Sequence, residues 1–412
     1  MVLPTNSFQQ VITYNDSNLA LLLNQFAFLS KANKKFKDFD KGAKNLGDTV
    51  SFDLPPRYTT NSSLIATFQD SAQRVQNLTV DQAENVAYAF SAEQFIFNAR
   101  DYMDKYGKSA MAELGTKIES NIAQNAITHT YRFYGDGTTA INSFGQLATA
   151  MAFFRNYGSA SGMACGYLED ISVASIVNSG LSQFVLDRNE DIAQSWMLGK
   201  FSNTDWYQSN LLPTHTAGTV GNAATTLVIT AVVTDPDGGI SAITCSGAGA
   251  DADAIKANDL LQFSDGVSGQ PNVRYRTFIG HEPSANPVQI RATADAASVA
   301  DSVTISIFPK LYSVAGKDQN VTQTIAAGME LTALPSHRAG LIYAGDPLYL
   351  AMPQLPEEIP FPTGNSVDSE SGASIRTYYG SKFGENERGM VHDCIWGSTM
   401  VDEYAMRVVF PL

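Results

Sequence analysis

The first patterned stretch of the chain, residues 1–30, combines a polar start with apolar residues spaced three and four apart. Leu19, Leu22 and Phe26 fall on one face at that spacing, which predicts a short amphipathic helix within an extended arm. Such an arm has little to pack against within its own domain. We therefore expect it to lie on a neighbouring molecule.

Residues 46–80 show strand-like alternation at both ends and a polar stretch between them. Apolar and polar residues alternate over 50–54 and again over 78–80, as they do in half-buried strands, and Pro55-Pro56 ends the first strand. The pattern predicts a long two-stranded ribbon with a solvated tip. A lone hairpin is only marginally stable in water, so we expect contact with another molecule to stabilise this one.

A long helix is predicted over about residues 98–128, where apolar residues recur at helical spacing. At 1.5 Å per residue such a helix reaches roughly 45 Å. Its charged residues lie on the face opposite an apolar stripe. The stripe consists of Tyr102, Tyr106, Ala110, Leu114, Ile118 and Ile122.

Residues 143–200 alternate between helical and strand-like pieces and predict a compact α/β unit. From about 217 to 333 the composition shifts to Ala, Gly, Thr, Val and Asp, with short strand-like runs between turn residues. Such spacing predicts a small all-β sandwich or barrel, and mixed structure on both sides makes it an insertion. Its runs are Thr226–Val233, Asp259–Phe263, Val273–Ile279, Val288–Ala292 and Val303–Phe308. Later β-rich runs are Ile375–Tyr379, Met390–Trp396 and Tyr404–Phe410.

The net charge of the chain argues against one class of function. The chain has 412 residues and a formal net charge of −14. Because a protein that recognises nucleic-acid sequence normally carries a basic face, this negative net charge argues against sequence-specific DNA binding. One dense basic run is either a solvated helix end or loop, or a patch that meets a polyanion or an acidic partner. Its members are Lys31, Lys34, Lys35, Lys37, Lys41 and Lys44.

Cysteine number and hydropathy argue against a disulfide-stabilised, zinc-binding or membrane-spanning protein. Cys165, Cys245 and Cys394 are odd in number and far apart, which argues against a disulfide framework or a zinc knuckle. Residues 1–5 show no signal-peptide pattern. No stretch approaches 18 consecutive apolar residues, so we expect no membrane partner.

A search for catalytic patterns predicts that the protein is not an enzyme and needs no cofactor. The sequence contains no GxSxG elbow, no HExxH and no Walker sequence. Its five histidines are isolated. His392, Asp393 and Cys394 form the one local cluster, but neighbouring strand residues point to opposite faces, so a structural role is favoured.

The acidic stretch Asp235-Pro-Asp237-Gly-Gly, with Asp251 and Asp253 nearby, allows three interpretations. The first is a tight turn. The second is a calcium site, although calcium needs six to eight oxygen ligands and a bidentate glutamate is missing. The third is an exposed acidic loop that docks onto a basic partner surface.

Three stretches of the chain carry a resemblance to a known family. They are Gly47-Asp-Thr-Val50, Tyr207-Gln-Ser-Asn210 with Pro213–Gly218, and Ser374–Arg376 with Trp396, Gly397 and Ala405–Arg407. These stretches resemble the major capsid (coat) protein of tailed bacteriophages, which has the Hong Kong phage capsid fold. The likeness is nearest to short-tailed-phage coat proteins with an inserted β domain, an α+β fold. Gly380 and Asp402 depart from that pattern, where an Asp and a Pro are expected.

The resemblance implies a division of the chain into segments. The order is an N-terminal arm (1–45), an E-loop ribbon (46–80), a peripheral domain with a spine helix (81–142), a first axial segment (143–215), an inserted β-barrel (216–335), a second axial segment (336–395) and a closing strand of the peripheral domain (396–412).

The resemblance also implies roles. Copies would assemble as pentamers and hexamers into an icosahedral head shell around packaged double-stranded DNA. Asp235 and Asp237 would lie in a loop that bridges capsomers, and the basic run would face scaffolding protein or DNA. A portal would be a further partner, with assembly in the host cytoplasm and the virion capsid as the final location. The ribbon would contact the adjacent subunit through Asp48, Arg57, Asp70 and Arg74.

Two other classes of function remain open at this point. One is a secreted or surface carbohydrate-binding or adhesin module that uses the β-rich insert. The other is a hydrolase of unrecognised type. The arm, ribbon and long helix without a signal peptide argue against the first, and the lack of a nucleophile–base pair argues against the second.

Overall fold

The computed structural model describes residues 48–62, 64–65, 68–69, 73–91, 107–158, 162–180, 199–265, 267, 272–277, 280–357, 363–367, 373–381 and 387–412. The predicted arm and its lysine run lie outside these residues. Two compact units are present. The helix unit holds the described residues of 48–52, Val75–Ala126 and Leu348–Met400. The barrel unit holds Asp53–Arg74, Ile127–Pro347 and Val401–Leu412.

The helices are α1 (Lys108–His129), α2 (Phe144–Asn156), α3 (Asp170–Gly180) and α4 (Thr219–Asn222), and Asp402–Tyr404 forms a 3-10 turn. The strands are β1 (Thr49–Leu54), β2 (Arg74–Thr79), β3 (Gln82–Ser91), β4 (Phe133–Tyr134), β5 (Ala164–Leu168), β6 (Gly199–Phe201), β7 (Thr204–Gln208), β8 (Thr214–His215), β9 (Thr226–Thr234), β10 (Ile240–Ser246), β11 (Asp251–Ile255), β12 (Leu260–Phe263), β13 (Arg274–Arg276), β14 (Pro283–Pro287), β15 (Gln289–Ala292), β16 (Ala296–Ser298), β17 (Ser302–Leu311), β18 (Glu330–Ala333), β19 (His337–Ala344), β20 (Leu348–Ala351), β21 (Thr363–Val367), β22 (Ser374–Ser381), β23 (Glu387–Met400) and β24 (Ala405–Phe410).

The helix unit is an antiparallel sheet with α1 packed against it. The long strand β23 pairs with β22 on one side and with β3 on the other, and its last four residues pair with β20. The predicted stripe on α1 is buried at Ala110, Leu114, Ile118 and Ile122, which confirms the helical periodicity. The predicted first turns, from residue 98 to 106, lie outside the described residues.

The barrel unit contains a mixed sheet in the order β4-β24-β19-β5-β7-β6, with β8 beside β19. β5 and β7 are parallel, as are β4 and β24. Helices α2 and α3 bury Leu147, Met151 and Ile176 against Ile342 and Val408 of the sheet. Ser143 caps α2 by accepting a hydrogen bond from the backbone N–H of Gln146 (3.3 Å), which satisfies a donor of the first turn.

Six strands, β9, β10, β17, β15, β12 and β18, close into a barrel. Along the first part of β17, Val303, Ile305 and Ile307 point inward and are buried while the residues between them are exposed, as period-two alternation requires. The barrel lies between β8 and β19, which pair directly with each other through His215 and His337. The structure is thus α+β, as the sequence predicts, and the closed barrel falls between β8 and β19 in the order of the chain.

The end of the chain contributes strands to both compact units. β20 to β23 belong to the helix unit, whereas β19 and β24 pair with each other in the barrel unit, Arg338 opposite Phe410. β24 is buried at every position, because a central strand of a sheet covered on both faces reads as a continuous apolar run. The division into an axial segment (336–395) and a closing strand (396–412) stays a prediction.

Candidate assembly surfaces

The ribbon, residues 48–80, is a two-stranded hairpin of β1 and β2, as the alternation predicts. Side-chain hydrogen bonds also join its two limbs. Gln73 Nε2 donates to Asp53 Oδ1 (2.7 Å), and farther along the backbone N–H of Thr59 donates to Gln69 Oε1 (2.9 Å). The Gln69 amide also donates to the Thr59 carbonyl, so it imitates the two bonds of a facing strand residue.

Large apolar side chains are exposed near the tip of the ribbon. Leu64 and Phe68 are fully exposed to solvent. Burying a leucine or phenylalanine side chain stabilises a protein by about 1.5–3 kcal/mol relative to leaving it in water. A ribbon that forgoes this stabilisation at two neighbouring positions is suited to a surface supplied by another molecule.

The predicted ribbon residues take different places. Asp48 is exposed and closes the base of the hairpin, because its carbonyl accepts from Val80 N–H (2.8 Å). Arg57 and Arg74 both donate to the carboxylate of Glu403 in the 3-10 turn of the same chain. Asp70 lies outside the described residues. An inter-subunit role for these four positions stays a prediction.

Asp235 and Asp237 form the turn between β9 and β10. Backbone bonds close the turn: Asp235 N–H donates to the Gly239 carbonyl (2.8 Å) and Gly238 N–H to the Asp235 carbonyl (2.9 Å). Lys310 Nζ, from β17, lies 2.6 Å from Asp235 Oδ2 and 3.0 Å from Asp237 Oδ2. A lysine ammonium thus lies between the two carboxylates.

These contacts lower the pKa of both carboxyls. The pKa of Asp237 falls to about 2 because Gly239 N–H and Lys310 donate to the carboxylate, and hydrogen bonds from Lys310 and Ser241 lower the pKa of Asp235. No three metal-ligating side chains converge within the described ranges, and Lys310 already supplies the positive charge. The calcium interpretation has no support here, and the tight turn is what the structure shows.

Buried polar groups attach the barrel to the host sheet. The Asp259 carboxylate, on the barrel, accepts from His215 Nε2 (2.8 Å) and from the backbone N–H groups of Gly218 (3.1 Å) and Lys256 (2.8 Å). On the other side of the junction the Gln289 amide pairs with both backbone groups of Phe133 at 2.9 Å. Each anchor satisfies groups that burial would otherwise leave unpaired.

Two buried histidines are held neutral. The ring of His337 donates from Nδ1 to the Pro335 carbonyl (2.8 Å) and receives Arg407 Nη1 at Nε2 (3.4 Å); burial and the Arg407 charge lower its pKa to about 3. His392, between Thr377 and Tyr88, has its pKa lowered to about 4 by burial. The predicted structural role of His392 agrees with these contacts.

Sequence reasoning missed two buried arginines. The guanidinium of Arg132 lies 4.7 Å from the ring centre of Tyr157 and 5.6 Å from that of Tyr275, within cation–π range. Arg407 donates to the Ile127 carbonyl (2.7 Å) at the C-terminal end of α1. The neighbouring Tyr131, whose hydroxyl accepts from Arg132 Nε (3.1 Å), is the local signal in the sequence, whereas Tyr157 and Tyr275 come from distant parts of the chain.

In the described part of the chain, no helix is long and apolar enough to cross a membrane. No family model matches the sequence, and no curated protein matches it. The chain is similar to solved structures at low identity. A structure from Mycobacterium phage Che8 gives a TM-score of 0.47 at 7% identity, with 93% of this chain and 90% of that chain covered.

Two further solved structures show the range of the similarity. The capsid asymmetric unit of cyanophage Pam1 gives a TM-score of 0.44 at 9% identity, with 91% of this chain and 87% of that chain covered. A virus-like particle from Pyrococcus furiosus gives 0.41 at 6% identity, with 98% and 100% covered.

Proposed function

We propose that this chain is the major capsid protein of a tailed double-stranded DNA phage, and that many copies assemble into the head shell. The observation that carries the proposal is the ribbon. Two six-residue strands, joined to each other by side-chain bonds, carry fully exposed Leu64 and Phe68 at the tip. A second copy of this chain is the occupant we assign to that tip, because a closed shell repeats the same heterologous contact at every subunit.

The mechanism is association followed by movement of domains. Each ribbon contact is small, but a subunit in a shell makes several at once, and multivalency makes the assembly stable. Scaffolding protein, a portal and packaged DNA are the further partners in this proposal, with the Lys31–Lys44 run meeting scaffold or phosphate groups. The location that follows is the virion capsid after assembly in the host cytoplasm.

Electron microscopy and sedimentation of the overexpressed chain test the proposal. Closed shells or tubes with a regular subunit lattice would support it. A stable monomer that binds glycans would contradict it and favour the adhesin alternative. A monomer that hydrolyses ester or glycoside substrates would favour the hydrolase alternative.

Replacing Leu64 and Phe68 by serine is expected to abolish shells while leaving the subunit folded. Exposed positions change the free energy of unfolding by no more than about 0.5 kcal/mol, so the loss appears in assembly and not in stability. Particle yield by sedimentation and the urea midpoint of the subunit are the two measurements. Val314→Ser, a change at another exposed apolar position, is the control. Normal shells from the double variant would count against the ribbon as a contact.

Charge reversal of Asp235 and Asp237 to lysine is expected to impair particle assembly without unfolding the subunit. The turn is kept by backbone bonds, whereas the acidic loop becomes basic and repels Lys310. Lys310→Gln separates the two effects, because it removes the internal partner and keeps the carboxylates for a neighbouring capsomer. Particle yield is the measurement, and a normal yield from the reversed variant would overturn the bridging role.

A further inference from the structure

The direction of the ribbon depends on one carboxylate. Glu403 receives Arg57 from the first limb of the ribbon and Arg74 from the second, and Arg74 Nη1 also donates across the hairpin to the Pro55 carbonyl (3.3 Å). The three side chains are 14–26% exposed, so water competes for these bonds less than on an open surface. Charge-assisted bonds of this kind are the strong ones among protein hydrogen bonds.

Glu403 connects the ribbon to a distant and buried part of the chain. Glu403 is more than 320 residues from either arginine and lies in the 3-10 turn directly before β24. β24 is buried along its whole length and paired on both sides. A hairpin that is marginal by itself is thereby attached, through both limbs, to a rigid part of the barrel unit.

We propose that Arg57, Glu403 and Arg74 form a latch that fixes the direction in which the ribbon presents its apolar tip. The latch is a positioning device, because it acts by holding the two limbs of the ribbon against the 3-10 turn. The latch itself does not depend on the proposed function. Its consequence does rest on that function, because the consequence is that copies of the chain dock in one orientation.

Hydrogen exchange of the isolated subunit tests the latch without reference to assembly. In Glu403→Gln the five amides of residues 53–59, which exclude the two prolines, are expected to exchange on the order of tenfold faster, because local opening of the limbs becomes easier. Glu169→Gln is the matched control: Glu169 is 20% exposed and pairs with Arg338 (2.8 Å) in the same unit. The double variant Arg57→Gln with Arg74→Gln should repeat the Glu403 result if Glu403→Gln fails to fold.

Electron microscopy of the same variants gives the second measurement. Regular shells from the wild type and irregular particles from Glu403→Gln would support the latch in its full form. Unchanged exchange at residues 53–59 in both latch variants would overturn it. Faster exchange with no shells from the wild type would support the latch and contradict the proposed capsid function.

Discussion

Arg407→Met is expected to lower the free energy of unfolding by about 3 kcal/mol or more. The Arg407 side chain is buried and donates to the Ile127 carbonyl (2.7 Å), to Thr130 Oγ1 (3.3 Å) and to His337 Nε2 (3.4 Å). Methionine fills much of the volume but donates nothing. The last carbonyls of α1 then lose their partner in a dry environment.

The measurement for Arg407 is urea unfolding of the subunit, with the midpoint and the slope reported separately. Arg338→Met is the matched control, because Arg338 lies on the neighbouring strand, is 31% exposed and pairs with Glu169. A half-exposed ion pair contributes about 1 kcal/mol or less. Equal losses from the two variants would show that burial of Arg407 does not carry the effect.

Acidification from pH 7 to pH 5 is the second large expected effect, and it destabilises the subunit. In the unfolded chain His337 and His392 take up protons near a pKa of about 6.5. In the folded chain burial, with the Arg407 charge at His337, lowers these pKa values to about 3 and about 4. Unfolding therefore binds protons over this range, and stability falls as pH falls below about 6.5. Each histidine costs about 2 kcal/mol by pH 5.

Asp402 acts in the opposite direction. Burial, opposed by the charge of Arg291, raises its pKa to about 7, so the folded chain binds a proton there before the unfolded chain does. Its contribution to stability rises as pH falls from about 7 to about 4, and it offsets about 2 kcal/mol of the loss by pH 5. Asp402→Asn should make the loss steeper by that amount.

His392→Gln isolates one histidine, because glutamine can still pair with Thr377 and Tyr88. Urea unfolding at pH 7 and pH 5 is the measurement, and this variant should lose about 2 kcal/mol less than the wild type. Identical pH dependence of the two proteins would contradict the assignment. The same comparison with His337→Gln addresses the barrel unit.

The spacing of apolar residues predicted the elements whose burial depends on residues close together in the sequence. The stripe of α1 is visible in the sequence because Leu114, Ile118 and Ile122 recur at the helical period. The ribbon could be predicted because apolar and polar residues alternate in its strands and a proline pair ends the first strand. Four predicted runs became the barrel strands β9, β12, β15 and β17. The run Val273–Ile279 contains β13 instead, which pairs with β14 outside the barrel. The barrel strands β10 and β18 were not predicted, and β11 and β16 were also missed because they are short and their pairing is irregular.

Pairings between distant parts of the chain could not be predicted in the same way. One partner of β24 is β19, which lies more than sixty residues earlier in the sequence. No feature of either strand's sequence identifies the other strand as its partner. The latch, the Asp259 anchor and the arginine–tyrosine cluster have the same origin. Each joins side chains that only the completed fold brings together, so the sequence could suggest the residue types but not their partners.

The pairing of His215 with His337 has a consequence for how the barrel came to be part of this chain. Because its entry and exit strands lie side by side, the barrel occupies the position of an ordinary hairpin loop in the host sheet. A module with adjacent ends can be gained, lost or exchanged without altering the order of the host strands. What constrains such an exchange is the junction, where a replacement must bring its own counterparts of Asp259 and Gln289 to satisfy the host's buried groups.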